Sequence, residues 1–290
     1  MNGSELSEAL DRASRLHRGD RIVIEAAART DVGERRSINE DAVLAQRPVF
    51  VVADGMGGHS AGDRASAAAV RAFGELAERG AARALTIADV DAALDEARAA
   101  VEEIARGTER GAGCTLSGVV LVENEGASQW YVLNIGDSRV YQHRGASLAQ
   151  VTADHSLRAE LTAAGHADAA TAPRNVITRA LGAEDSRHDA WLLPVRTGTR
   201  LLVCSDGLTT ELSDEELRAV LTIGGRPDTV ADELVRRACE SGGRDNISVI
   251  VVDTVEGGLV DVRGRHAANE ADEDDTVDET TLDVTKPVDS

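Results

Sequence analysis

Apolar positions change period several times along this chain, and the changes mark its elements. Residues 21–28 alternate weakly and predict a first strand; a hairpin of 42–45 with 49–53 follows. From 60 to 79 the sequence is rich in Ala with few breakers. From 89 to 106, Val90, Ala93, Leu94, Ala97, Val101 and Ile104 recur on one face, so two long helices lying side by side over a sheet are expected. Strand texture returns at 115–122, 129–134, 139–143 and 148–150. The connections are too short for crossover helices, which predicts an antiparallel meander rather than parallel βαβ units. No GxGxxG follows any strand, so a dinucleotide fold is not supported. Residues 154–178 carry a weak pattern, read as a short helix and a mobile loop. Strands at 191–195 and 200–204 come next. Ser213-Asp214-Glu215-Glu216 is a capping box opening a helix to 222, Pro227 sits in the first turn of another to 241, and 247–252 form a last apolar strand.

Two flanking segments differ in character. Residues 4–18 place Leu6, Leu10, Ala13 and Leu16 at helical spacing, an amphipathic helix expected to pack against the domain, with docking to a partner as the alternative. At the other end, residues 269–290 hold nine acids against Lys286, a net of -8 within a total of -20, and too few apolar residues to fold. The expected organisation is therefore an N-terminal helix over 1–20, a folded domain over 21–256 and an acidic disordered tail over 257–290.

The remaining -12 on residues 1–268 opposes binding to nucleic acid or an anionic membrane surface. Cys114, Cys204 and Cys239 are odd in number and widely spaced in apolar or helical contexts, which suits buried thiols in a reducing compartment. No basic-then-apolar leader and no apolar run of about 20 residues is present, so a cytoplasmic, soluble protein is expected.

The candidate chemistry lies where apolar runs stop. Phe50-Val51-Val52-Ala53 ends at Asp54-Gly55, and the same pattern recurs at 133–137, ending on Gly136-Asp137, and at 201–207, ending on Asp206-Gly207. A fourth acid, Asp245, just precedes the strand at 247–252. One Asp-Gly after a strand marks a turn. Four strand-end aspartates need a common cause, since gathered carboxylates repel unless some take up protons or a cation lies among them. Oxygen-only donors, with no Cys or His in zinc spacing, favour a hard ion such as Mg2+ or Mn2+. Glu40 and Asp41 add further acid. Arg36, four residues before Glu40, is the one opposing charge placed to matter, and a guanidinium beside such a cluster suits a phosphoryl group. Phosphate-ester hydrolysis is the implied chemistry.

Seven stretches, RSINED, VVADGMGGHSAGD, NIGDSRVY, VTADHSL, ITRALG, LLVCSDGL and GGRDNISVIVVD, occur in an order that resembles the bacterial branch of the metal-dependent protein phosphatases, the type 2C family. They span roughly residues 22 to 253. The resemblance implies an α+β fold, a four-layer α-β-β-α sandwich of two antiparallel sheets with helix pairs on the outer faces. It implies two Mn2+ or Mg2+ ions with a bridging water: Asp54 between them, Asp206 and Asp245 on the first, Glu40 and the Gly55 carbonyl on the second, Asp41 holding metal-bound water. Asp137 matches an acid that holds a third ion with Asp206 in bacterial members, although a GDSR turn would also use Asp for local geometry. Animal members carry a His after Asp-Gly as general acid; here Met56 stands there. His59 and a water on the third ion are the remaining donors.

The implied activity is hydrolysis of phosphoserine and phosphothreonine on proteins, opposing a bacterial Ser/Thr kinase, with Arg36, Asp54 and Asp206 as catalytic residues. The alternatives are a phosphatase dedicated to one regulator, of the anti-sigma antagonist type, and a catalytically dead phosphoprotein-binding module; the presence of every matched ligand speaks against the latter. A monomer is expected. In the tail, Thr276, Thr280, Thr281 and Thr285 lie among acids. A solubilising role is the simpler reading, but Thr280 with Asp283 three residues on resembles what some forkhead-associated domains select once the threonine is phosphorylated.

Overall fold

The structure, a computed structural model, describes residues 22–57, 61–109, 111–173 and 176–259. The anticipated helix over 4–18, His59 and the threonines of the acidic tail lie outside these residues. The chain builds two antiparallel sheets. The first holds β1 (Val23–Asp31), β11 (Ile247–Glu256), β10 (Arg200–Cys204), β7 (Arg139–Arg144) and β8 (Ser147–Gln150), in that spatial order. The second holds β2 (Asp41–Gln46), β3 (Val49–Gly57), β5 (Leu116–Asn124), β6 (Ala127–Ile135) and β9 (Asp189–Pro194), with short β4 (Ala112–Cys114) joined to the end of β3.

Helices α1 (Ala61–Ala82) and α2 (Ile87–Arg106) pack on the second sheet. Between the sheets' later strands the chain forms α3 (Leu157–Ala163) and a 3-10 turn, Ala167–Thr171. Helices α4 (Asp206–Glu211), α5 (Asp214–Ile223) and α6 (Pro227–Ser241) cover the first sheet. The result is the expected α-β-β-α sandwich.

Burial on both faces explains why the strands read as continuous apolar runs. Along β3, Val49, Val51 and Ala53 pack towards α1 and α2 while Phe50 and Val52 enter the layer between the sheets. Along β10, Leu201 and Val203 face the inter-sheet layer, and Leu202 and Cys204 face the second helix layer. Phe50 and Trp130 meet edge to face in that central layer, centroids 6.0 Å apart. Local signals set the helix ends: Thr86 and Asp89 form a capping box at α2, Ser213 and Glu216 the expected one at α5, and Pro227 opens α6.

The expected meander is not formed. The strands between 115 and 150 are two hairpins in different sheets rather than one meander, because β9 takes the free edge of β6 and β10 takes β7. The chain changes sheet at Gly136-Asp137-Ser138, which carries Asp137 across the end of the sandwich. Among the thiols, Cys114 and Cys204 are buried as expected, but Cys239 on the outer helix is partly exposed. None of the described helices is long and apolar enough to cross a membrane.

Candidate active site

Pairing register brings the acids to one end of the sandwich. In the β2–β3 hairpin Asp41 stands directly opposite Asp54. Asp206 opens α4 just after β10, Asp245 precedes β11, and β11 pairs with both β10 and β1. Asp54, Asp206 and Asp41 are partly buried, and Asp137 is 7% exposed.

Their mutual influence is strong. Burial, then the charges of Asp41, Asp206, Asp137 and Asp245, push the Asp54 carboxyl well above the ordinary carboxylate range. Burial and the charge of Asp245 raise the Asp206 carboxyl above its ordinary range, with Asp54, Arg36 and Arg139 opposing. Asp41 is pushed up to about 6 by burial, despite hydrogen bonds from Ser248 and Ser205. Asp137 rises to about 7 through burial and the nearby charges of Asp206 and Asp154. Glu40 is raised by burial, with Arg36 opposing. Burial leads every one of these shifts, and mutual repulsion among the acids adds to it more than Arg36 and Arg139 offset.

Two features show that the donor set fits a hard divalent cation. Asp41 Oδ1 and Asp137 Oδ1 are buried and have no hydrogen-bond partner, a costly state for a carboxylate oxygen unless something else compensates it. The second feature is a cradle. A β-carbon on Gly62 would lie 2.7 Å from Glu40 Oε1 and 3.0 Å from the Gly55 carbonyl oxygen, and one on Gly55 would lie 2.5 Å from the Glu40 carbonyl. Only glycine permits this approach, which sets a carboxylate and a backbone carbonyl around one small space. Among the described residues no three acidic, His or Cys side chains close by themselves around one point. A coordination sphere here therefore needs the Gly55 carbonyl and water as well as carboxylates.

Arg36 is half-exposed at the rim and donates from Nη2 to Asp245 Oδ2 at 2.8 Å; the negative charges of Asp245, Asp54 and Glu40 favour its protonated form. Met56, opposite Gly113 in the β3–β4 register, offers no proton where animal members place a His.

Several supporting residues were not singled out from the sequence. Asn246 accepts from Glu40 N at 2.9 Å and donates to the carbonyls of Val32 and Ile38 at 3.0 Å each, so one side chain fixes the Arg36 loop against β11. Ser205 Oγ donates to Asp41 Oδ2 at 2.8 Å, and Thr115 Oγ1 accepts from Asp54 N at 3.0 Å. Asn246 was adjacent to an identified acid, and a buried Asn in a loop-to-strand junction was the available signal; Ser205 and Thr115 gave none.

Residues 34–240 match the family described as Protein phosphatase 2C. The serine/threonine phosphatase stp of Listeria monocytogenes is 37% identical over 244 residues, which cover 79% of this chain and 95% of that protein. The protein phosphatase PhpP of Streptococcus pneumoniae is 34% identical over 258 residues, 80% of this chain and 98% of that one. Among solved structures, the catalytic domain of the serine threonine protein phosphatase PstP in complex with two manganese ions superposes with a TM-score of 0.73 at 32% identity, covering 81% of this chain and 100% of that one. The Mycobacterium tuberculosis serine/threonine phosphatase PstP/Ppp crystal structure gives the same TM-score at 33% identity, with 81% and 100% covered.

Fold, site and relatives together place this chain in the protein phosphatase 2C family. It is a protein-serine/threonine phosphatase that depends on divalent metal.

Proposed function

We propose that Asp54, Asp206 and Asp245 hold one divalent ion and that Asp54, Glu40 and the Gly55 carbonyl hold a second, with Asp41 acting through water and Asp137 with Asp206 holding a third more weakly. The carrying observation is the unpartnered buried oxygens of Asp41 and Asp137 beside the crowded Asp54 and Asp206 carboxyls, both pushed above the ordinary carboxylate range. Bound there, Mn2+ or Mg2+ would lower the pKa of water and neutralise phosphate charge. The manganese in the PstP complex favours Mn2+.

The chain's own residues supply the rest. Arg36 binds and orients the phosphate from the rim, with Asp245 and the Asn246-anchored loop keeping it there. Ser205 holds Asp41 in one orientation, and Thr115 fixes the backbone at Asp54. Apolar layers beneath the acids keep bulk water from screening their charges. In the cell the enzyme opposes a bacterial Ser/Thr kinase in the cytoplasm as a monomer, acting on phosphorylated proteins. The acidic tail keeps the protein soluble, with a tether to a forkhead-associated domain through phosphorylated Thr280 as the alternative.

Arg36→Ala should raise KM for a phosphothreonine peptide by about tenfold to a hundredfold, the worth of a charge-assisted contact made in the ground state, while kcat changes much less. Arg36→Lys should recover little, because an ammonium cannot grip two oxygens at once. Saturation kinetics on the two variants decide it. A collapse of kcat at unchanged KM would remove Arg36 from phosphate binding.

A further inference from the structure

Three stretches singled out in the sequence, NIGDSRVY, VTADHSL and ITRALG, have no role beyond Asp137 in the reading above, and in the fold they meet at His155. The side chain is 4% exposed and every polar atom of the residue is engaged. Its backbone N donates to the Gly136 carbonyl at 2.9 Å, and its carbonyl accepts from Thr178 N at 2.9 Å. Its ring Nδ1 accepts from Gly136 N at 3.1 Å. Ring Nε2 lies 3.1 Å from Asp189 Oδ2 and 3.3 Å from Arg179 Nη1, while Arg179 Nη1 donates to Asp189 Oδ1 at 2.9 Å.

These contacts leave one consistent proton arrangement. Nδ1 accepts, so it carries no hydrogen, and in a neutral imidazole the hydrogen is then on Nε2, donated to Asp189. Arg179 is also a pure donor, so its hydrogen goes to Asp189 rather than to the ring. Burial holds the His155 pKa below its usual value, which keeps the ring neutral. His155 thus engages both Gly136 backbone groups, sharing the carbonyl with Asn134 Nδ2, which donates to it at 3.1 Å. Gly136 itself has φ +106, and a β-carbon there would lie 2.5 Å from the Thr115 side chain, so the turn is a conformation that glycine alone supports and that needs outside contacts to be held. The next residue is Asp137, whose buried Oδ1 has no partner.

We propose that His155, fixed in its Nε2–H tautomer by the Asp189–Arg179 pair, is a positioning residue that locks the Gly136–Asp137 turn and so presents the Asp137 carboxylate to the weakest of the divalent-metal sites. This rests on the reading of Asp137 as a metal ligand. The same residue ties that carboxylate to the segment around α3, because Thr178 and the Ser156–Ile177 bridge hang from it. Occupancy of the weak site and the seating of the α3 segment beside it are therefore mechanically linked.

Two substitutions separate positioning from bulk. Asn places an acceptor where Nδ1 was and loses the donor to Asp189; Gln places a donor where Nε2 was and loses the acceptor for Gly136 N–H. Calorimetric titration of the full chain with Mn2+ should show, for His155→Gln, an affinity of the weakest binding class reduced by about tenfold or more, the usual scale for losing a residue behind a ligand, with the tighter classes unchanged. His155→Asn should stay within about threefold of wild type at that class. Asp137→Asn is the control. If Asp137→Asn abolishes the weak class while His155→Gln leaves it intact, or if Asn and Gln weaken it equally, the positioning role is overturned and the reading of Asp137 stands. If Asp137→Asn leaves the weak class intact, the reading of Asp137 falls and the proposal with it. Should His155→Gln not fold, nitrogen-15 correlation spectra of the wild-type ring decide: a hydrogen on Nε2 supports the proposal and one on Nδ1 overturns it.

Discussion

Asp206→Asn should lower kcat/KM on a phosphothreonine peptide by about three orders of magnitude or more, and it should do so without weakening the metal-free fold. The substitution keeps the shape of a side chain at the start of α4 but removes a charge that two proposed ions share. In the metal-free protein that same charge is a burden, since Asp206 crowds Asp54, Asp41 and Asp245 in a buried space. Activity and metal-free stability are thus expected to move in opposite directions. Steady-state kinetics in excess Mn2+ and thermal unfolding in chelator read the two effects. Near-normal activity, or a variant that loses activity because it no longer folds without metal, would contradict the role given to Asp206.

The stability that Mn2+ confers should grow with pH, by about 3 kcal/mol or more between pH 4 and pH 7. The sign follows from proton counting. Asp41, pushed up to about 6, and Asp137, pushed up to about 7, keep protons in the metal-free fold that they would release in the unfolded chain, where carboxyls titrate near 3.8. The folded state therefore binds more protons through this window, and raising the pH destabilises it; each unit of raised pKa is worth about 1.4 kcal/mol. A bound cation favours the ionised forms and removes the penalty. His143, His155 and His188, lowered chiefly by burial, act the other way, contributing stability that is lost as pH falls below about 6.5. They are present with and without metal, so the difference between the two unfolding curves isolates the carboxylates. Denaturant melts across this range, in chelator and in saturating Mn2+, give that difference. A metal increment that is flat or shrinks with rising pH would show that these acids are not the groups the metal relieves.

Much of the architecture was legible because local and global signals agree. The strand at 200–204 and the helix at 227–241 fall at their expected bounds, since Asp206 ends a run buried on both faces and Pro227 with Gly242 punctuates the helix. The acids were visible for the same reason: carboxylates flank largely apolar runs at Asp54, Asp137, Asp206 and Asp245, and that recurrence called for one cause. What stayed hidden depends on pairing across long sequence separations. That β6 and β7 part into different sheets is decided by β9 and β10, some fifty residues on, and no spacing within 115–150 encodes it. The same holds for the residues that orient the acids. Asn246 reaching Val32 and Ile38, Ser205 reaching Asp41, and His155 reaching Gly136 and Asp189 are contacts of tertiary structure, made by common polar residues with no periodicity of their own.

Turnover of a phosphothreonine peptide by metal-stripped enzyme, before and after addition of Mn2+ or Mg2+, bears most directly on whether this acidic cluster is a divalent-metal phosphatase centre. The stripped enzyme should release no phosphate above background and should recover its activity on adding either ion, with Mn2+ the more effective. Undiminished phosphate release from protein shown to be free of metal would contradict it.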